Sequence, residues 1–134
     1  MKKRIAMIFV VILLFVAIFI SSYFVFTAPK YDGEFLLDDF SDVIESFPFP
    51  GHKTYGKIID YKSAGEIGKN IIDEFYGGYS KGSIIEWMGC KVQYAPQHDV
   101  YYIRIYHISP LVIGGAYDII IRSDGTVLAI WGEK

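Results

Sequence analysis

The sequence holds a single cysteine, Cys90, so no disulfide can close within the chain, even in an oxidising compartment. Its core must hold it together unaided. Basic clusters are scarce as well: 13 lysines and arginines face 15 aspartates and glutamates. Nucleic-acid binding needs such clusters, and this balance argues against it. There is no internal repeat and no low-complexity tract. His52, His98 and His107 stand far apart at no metal-ligand spacing and Cys90 lacks a partner thiol, so neither a metal nor a cofactor is implied. The longest gap is in charge. From Ile5 to Thr27 no charged residue occurs, and only Ser21, Ser22, Tyr23 and Thr27 are polar.

That run is long enough to cross a hydrocarbon core of about 30 Å, which needs roughly 20 apolar residues. The "MKKR" ahead of it, three basic residues against the single Lys30 just after, favours an amino terminus in the cytoplasm. A cleaved signal peptide is the rival, but its apolar core is usually about 7–15 residues. The best cut, after Ala28, has bulky Phe26 three positions back and Pro29 just beyond. An uncleaved anchor is the favoured reading, ahead of a cleaved signal and a buried soluble helix. The chain then divides into a basic tip and transmembrane anchor, residues 1–28, and an extracytoplasmic domain, residues 29–134. On this reading the protein is single-pass in the cytoplasmic or plasma membrane, and secreted if the segment is cleaved. All the acidic residues and ten of the basic ones fall in the domain, for a charge of about −5. Its many aromatics make a self-sufficient core plausible.

Periodicity gives an outline of the fold. "PKYDGEF" reads as a polar, turn-rich link. In "LLDDFSDVIESF", Leu36, Leu37, Phe40, Val43, Ile44 and Phe47 recur at helical spacing. "PFPGHKTYG" stops that helix. A second helix opens at "SAGE", with Ser63 as N-cap and Glu66 as its capping-box partner. It carries a stripe of Ile67, Ile71, Ile72, Phe75 and Tyr76 and ends at Gly77-Gly78. Strands are expected at 84–94, 100–108, 116–122 and 127–131, the last two joined by an Asp124-Gly125 turn. The expected class is α+β, with two helices packed on a curved four-stranded antiparallel sheet.

No candidate for chemistry outweighs a structural role. His98-Asp99 sits in a turn without a nucleophile, and Cys90 reads as a small core residue. Asp60 with Tyr55 and Tyr61 has the residue types of an acid–base pocket, but a helix-preceding turn with packed tyrosines explains them better. Gly114-Gly115 leads into a strand, whereas a phosphate loop leads into a helix. An enzyme is not expected. The acidic face of the first helix, Asp38, Asp39, Asp42 and Glu45, reads first as a solvated face and second as a docking surface for a basic partner.

One stretch carries a family resemblance. "YGGY", "VYYIRIYHISP" and "GGAYDIIIRSDGTVLAIWGEK" together resemble the NTF2-fold immunity proteins of bacterial polymorphic toxin systems, over about residues 56–134. The shared marks are Tyr76 and Gly77 at a helix end, Pro110 after a strand, Gly114-Gly115 opening the next, Asp124-Gly125 in the last hairpin, and Lys134. The resemblance implies a minimal NTF2-like domain that neutralises a cognate toxin by direct binding, without a cofactor. "DGTVLAI" is also similar to PepSY-type domains, which would make the chain a protease-restraining or sensor module instead.

Overall fold

In the computed structural model, which describes residues 1–76, 88–108 and 115–133, the uncharged run forms one helix, α1, Lys2–Thr27. Of its residues only Thr27 is buried. Its most apolar window has a mean hydropathy of 3.1 and is 0% buried, so α1 is long and apolar enough to be a membrane span or a signal sequence. The helix stops because Pro29 lacks an N–H and forces the preceding residue out of the helical region. Ala28 is accordingly extended, with ψ of 140°.

The next residues correct the expectation of a polar link. Pro29–Glu34 is a strand, β1, and it pairs in parallel with β2, Met88–Ala95. Proline is tolerated at the first residue of an edge strand, where its missing N–H breaks no ladder. β3 (Val100–His107), β4 (Tyr117–Arg122) and β5 (Val127–Gly132) follow in antiparallel order. The sheet is therefore mixed and five-stranded, in the order β1-β2-β3-β4-β5, rather than four-stranded and antiparallel. The class is α+β as expected. The strand and helix counts, however, differ from the minimal NTF2-like layout.

The first expected helix is also shorter than its apolar spacing suggests. It divides into a 3-10 helix, Leu37–Phe40, and a short α2, Ser41–Ser46. Leu37, Phe40 and Ile44 pack with Phe35 on one face of the sheet, whereas Leu36 and Phe47 are exposed. The chain then passes around the β5 edge, where Phe47–Phe49 bonds to Leu128 and Ile130 and Thr54 bridges to Thr126. It returns on the opposite face as α3, Tyr61–Tyr76. Residues 35–76 thus run along one face, around the β5 edge and across the other face.

The cap of α3 lies three residues before the position expected for it. Asp60 Oδ1 accepts the Ser63 N–H at 2.7 Å, and Ser63 Oγ accepts the Asp60 N–H at 3.1 Å. This is a reciprocal capping box with Asp60 as the cap and Ser63 in the role expected of Glu66. The buried face differs as well: Ala64, Gly65, Gly68, Ile71 and Ile72 are buried, while Phe75 and Tyr76 stay exposed. A Cβ on Gly65 would lie 2.4 Å from Pro29 Cγ and 3.0 Å from Cys90 Sγ, so only glycine lets the helix approach β1 and β2. One turn on, Lys69 donates to the Thr27 carbonyl at the end of α1. Residues four apart share a helix face, and here that face grips the end of α1 and the start of β1 together.

The remaining core is aliphatic. Ile71, Ile72, Ile103, Ile105, Ile119 and Ile121 are fully or nearly fully buried beneath α3. Each such side chain stabilises the fold by about 1.5–3 kcal/mol through removal from water. Cys90 lies among them and burial pushes its thiol up to about 12, which leaves it an unreactive core residue. At the other end of the sheet, Gly125 turns the β4–β5 hairpin at φ +90°, with Asp124 accepting the Thr126 N–H at 2.9 Å. Gly115 also has positive φ, whereas Gly77, Gly78, Pro110, Gly114 and Lys134 lie outside the described residues.

A Cβ on Gly125 would meet the Gly56 carbonyl oxygen at 2.3 Å, a backbone atom with little room to move. Gly125→Ala is therefore expected to combine left-handed strain of about 1 kcal/mol with overpacking of about 1–3 kcal/mol. Thermal unfolding of the full chain in detergent measures this loss, and an unchanged midpoint would contradict the contact.

Candidate functional site

The two faces of the sheet have different covers. α3 packs on one face, over β1, β2 and β3, with Phe49 and Tyr55 packed against the same core. On the other, Phe35 and Phe40 cover the end away from α1 and, through Tyr102, reach Trp131, the register partner of Asp118, with Tyr102 and Trp131 stacked at 6.1 Å and 8°. The end nearer α1 carries polar side chains. Alternation along β3 and β4 turns Tyr102, Arg104 and Asp118 to this face while Ile103, Ile105 and Ile119 enter the core.

Asp118 is the unusual residue of this face. It is fully buried, and its Oδ1 accepts the Tyr102 hydroxyl at 2.6 Å. Arg104 Nε stands 3.9 Å from the same oxygen, and the Arg104 guanidinium also pairs with Glu133. The second oxygen, Oδ2, is buried with no N–H or O–H donor among the described residues. Burial raises the Asp118 pKa to about 6. Tyr102 and Arg104 oppose that rise, and Glu133 adds to it through its charge and through a carboxyl–carboxyl hydrogen bond made while Asp118 holds its proton. Burial, together with Asp118, raises the Tyr102 hydroxyl too. A cavity of about 330 Å³ opens beside these residues, lined by Asp32, Lys91, Gln93, Tyr102 and Arg104.

A second cavity, of about 400 Å³, lies at the far end of the domain between the 3-10 helix and the β2–β3 turn. Glu34, Asp39 and His98 supply its polar wall, and Phe35, Leu37 and Pro96 its apolar one. Asp38, Asp42 and Glu45 are exposed on the adjoining short helices, and none of these acids is in an ion pair among the described residues. The sequence-predicted acidic face is thus divided between two short helices, with Asp39 alone of its four acids in the cavity wall.

Other sequence candidates have structural duties. Asp60 caps α3, and its carboxylate is held below the usual range by the Ser63 backbone and hydroxyl. Asp99 lies in the β2–β3 turn at φ +54° and accepts from Tyr94 at 2.6 Å and Ser123 at 2.5 Å, so it joins two turns. His107 is half-buried near Gly115 and burial lowers its pKa. Asp118 escaped sequence reasoning. Its signal was a lone acid inside "YDIII", a position that alternation alone treats as an ordinary outward residue.

No protein-family model, curated protein or solved structure matches the chain.

The raised Asp118 pKa has a defined effect on stability. The folded state binds this proton more tightly than the unfolded state, whose value is near 3.8. Stability from this group is complete below about pH 4 and declines as pH rises to about 6, by up to about 3 kcal/mol. Asp118→Asn keeps an acceptor for Tyr102 and offers an N–H to Glu133. It should match or exceed the wild type at pH 7.5 and lack this decline, as read from the difference between their unfolding curves across pH 4–7. A variant less stable than wild type throughout would contradict the assignment.

Proposed function

We propose that the protein is a single-pass membrane protein whose domain, residues 29–134, lies outside the cytoplasm and neutralises a protein toxin by direct binding. The amino terminus is inside, by the basic "MKKR". The observation that carries the binding reading is the set of exposed acids Asp38, Asp39, Asp42 and Glu45 on the two short helices, with Asp39 in the wall of a cavity of about 400 Å³. Exposed acids without partners attract a basic surface at long range and select against acidic ones. The cavity beside them has an acidic wall and an apolar wall, which suits the charged head and aliphatic stem of a lysine or arginine. The resemblance of residues 56–134 to toxin-immunity proteins supports the identity of the partner as a toxin of the same or a related cell.

The test is a pull-down with the full chain in detergent, against the products of adjacent genes and the culture fluid of the source cell. A stoichiometric complex with a protein that is lethal without the bait is the expected result. Replacing Asp38, Asp39 and Asp42 by lysine should slow association by about tenfold or more and flatten its salt dependence. Capture of a membrane protease instead, or binding indifferent to the three substitutions, would contradict the proposal.

A further inference from the structure

The half of the open sheet face nearest α1 carries a row of cations. Lys30 on β1 is the register partner of Lys91 on β2, and Lys91 is the partner of Arg104 on β3. Like charges directly opposed on adjacent strands, about 5 Å apart, destabilise a sheet unless something negative offsets them. Arg104 has Glu133 and Asp118 for that purpose. For Lys30 and Lys91 no carboxylate lies within ion-pair distance among the described residues. Each ammonium instead lies over an aromatic ring, Lys30 at 5.8 Å from the Phe26 centroid and Lys91 at 5.6 Å from that of Tyr106. The cavity of about 330 Å³ opens on this row, with Lys91 and Arg104 in its lining.

The position of the row indicates which anion completes it. Lys30 follows Thr27, the last residue of α1, by three residues, which reach at most about 11 Å. The polar headgroup layer of a bilayer is about 5–8 Å thick on each side of the hydrocarbon. The row cannot swing away from that level, because β1 is zipped to β2 and Lys69 of α3 holds the Thr27 carbonyl. Phe26, beneath the Lys30 ammonium, belongs to the last turn of α1 itself. Basic residues so close to a span are attracted to anionic lipid.

We infer that this row and its cavity hold the phosphate of an anionic glycerophospholipid headgroup, from the leaflet at the carboxy-terminal end of α1. The inference rests on α1 spanning a membrane, as proposed above. Lys30 and Lys91 supply the uncompensated charge, and Arg104 supplies donors left over from its pairing with Glu133. Asp32, on the same cavity wall, repels phosphate but accepts from the hydroxyls of a glycerol headgroup. Seated this way, the domain turns its acidic end away from the lipid surface.

The test uses the full chain in nanodiscs of phosphatidylcholine, with or without phosphatidylglycerol, and acylation of lysines read by mass spectrometry against exposed Lys62. With phosphatidylglycerol, labelling of Lys30 and Lys91 should fall about fivefold, the factor equivalent to about 1 kcal/mol of headgroup attraction per lysine. High salt should restore it. Free glycerol phosphate added to phosphatidylcholine discs should leave both lysines labelled. Equal labelling in the two kinds of disc would overturn the inference while leaving the span intact. Protection by free glycerol phosphate equal to that by lipid would overturn the membrane source of the anion. A chain that does not enter discs at all would overturn the span and the inference together, an outcome separable from both others.

Discussion

At the boundary between α1 and the sheet, one residue ends a helix and starts a strand. Pro29 forbids further helix and tolerates the edge position, so the chain passes from α1 into β1 with only Ala28 between them. Such a junction would be free to swivel if β1 were a loose end. It is held instead from the side, where Gly65 admits Pro29 against α3 and Lys69 binds the Thr27 carbonyl. Burial lowers the Lys69 pKa, in keeping with a lysine committed to this contact rather than to water. The geometry of every other surface relative to α1 follows from this grip.

The belt between β1 and β2 then separates the molecule's charges. Its first part lays Phe35, Leu37, Phe40 and Ile44 over the far end of the open face and carries the acids outward. Its second part, α3, packs isoleucines and small residues on the opposite face. What remains uncovered is the part of the near end where Lys30, Lys91 and Arg104 align across three strands, in register with the buried Asp118 of β4. In the proposed arrangement the two ends have different tasks. The near end meets lipid, and the far end meets a protein.

Much of this was legible in the sequence where burial is one-sided. β3, β4 and β5 announce themselves by alternation and by the Asp124-Gly125 turn, and each lies within a residue or two of its expected span. β1 was invisible because an edge strand with mostly exposed residues has no apolar period to detect, and its pairing is made by backbone alone. The first helix looked longer than it is because Leu36 and Phe47 fit a helical stripe yet remain exposed. Asp60 hid behind Ser63, since both are good caps and the register of the helix start decides between them. Asp38, Asp39, Asp42 and Glu45 are exposed, as acids between the apolar positions of that stretch should be. The cation row was not legible, because Lys30, Lys91 and Arg104 are distant in sequence and become neighbours only through the parallel register of β1.

The central claim is that the domain is fixed on the membrane rather than loosely tethered to it. Spin labels placed singly at position 91 and at Gln97, in the full chain in lipid nanodiscs, would test it by depth. Strand rise separates Lys91 from Ala95 by about 13 Å, and the turn carries Gln97 beyond that. The account predicts a label at 91 at the level of the phosphates and a label at 97 well clear of them in water. Equal, broadly distributed depths for the two labels would show a freely swivelling domain and contradict it.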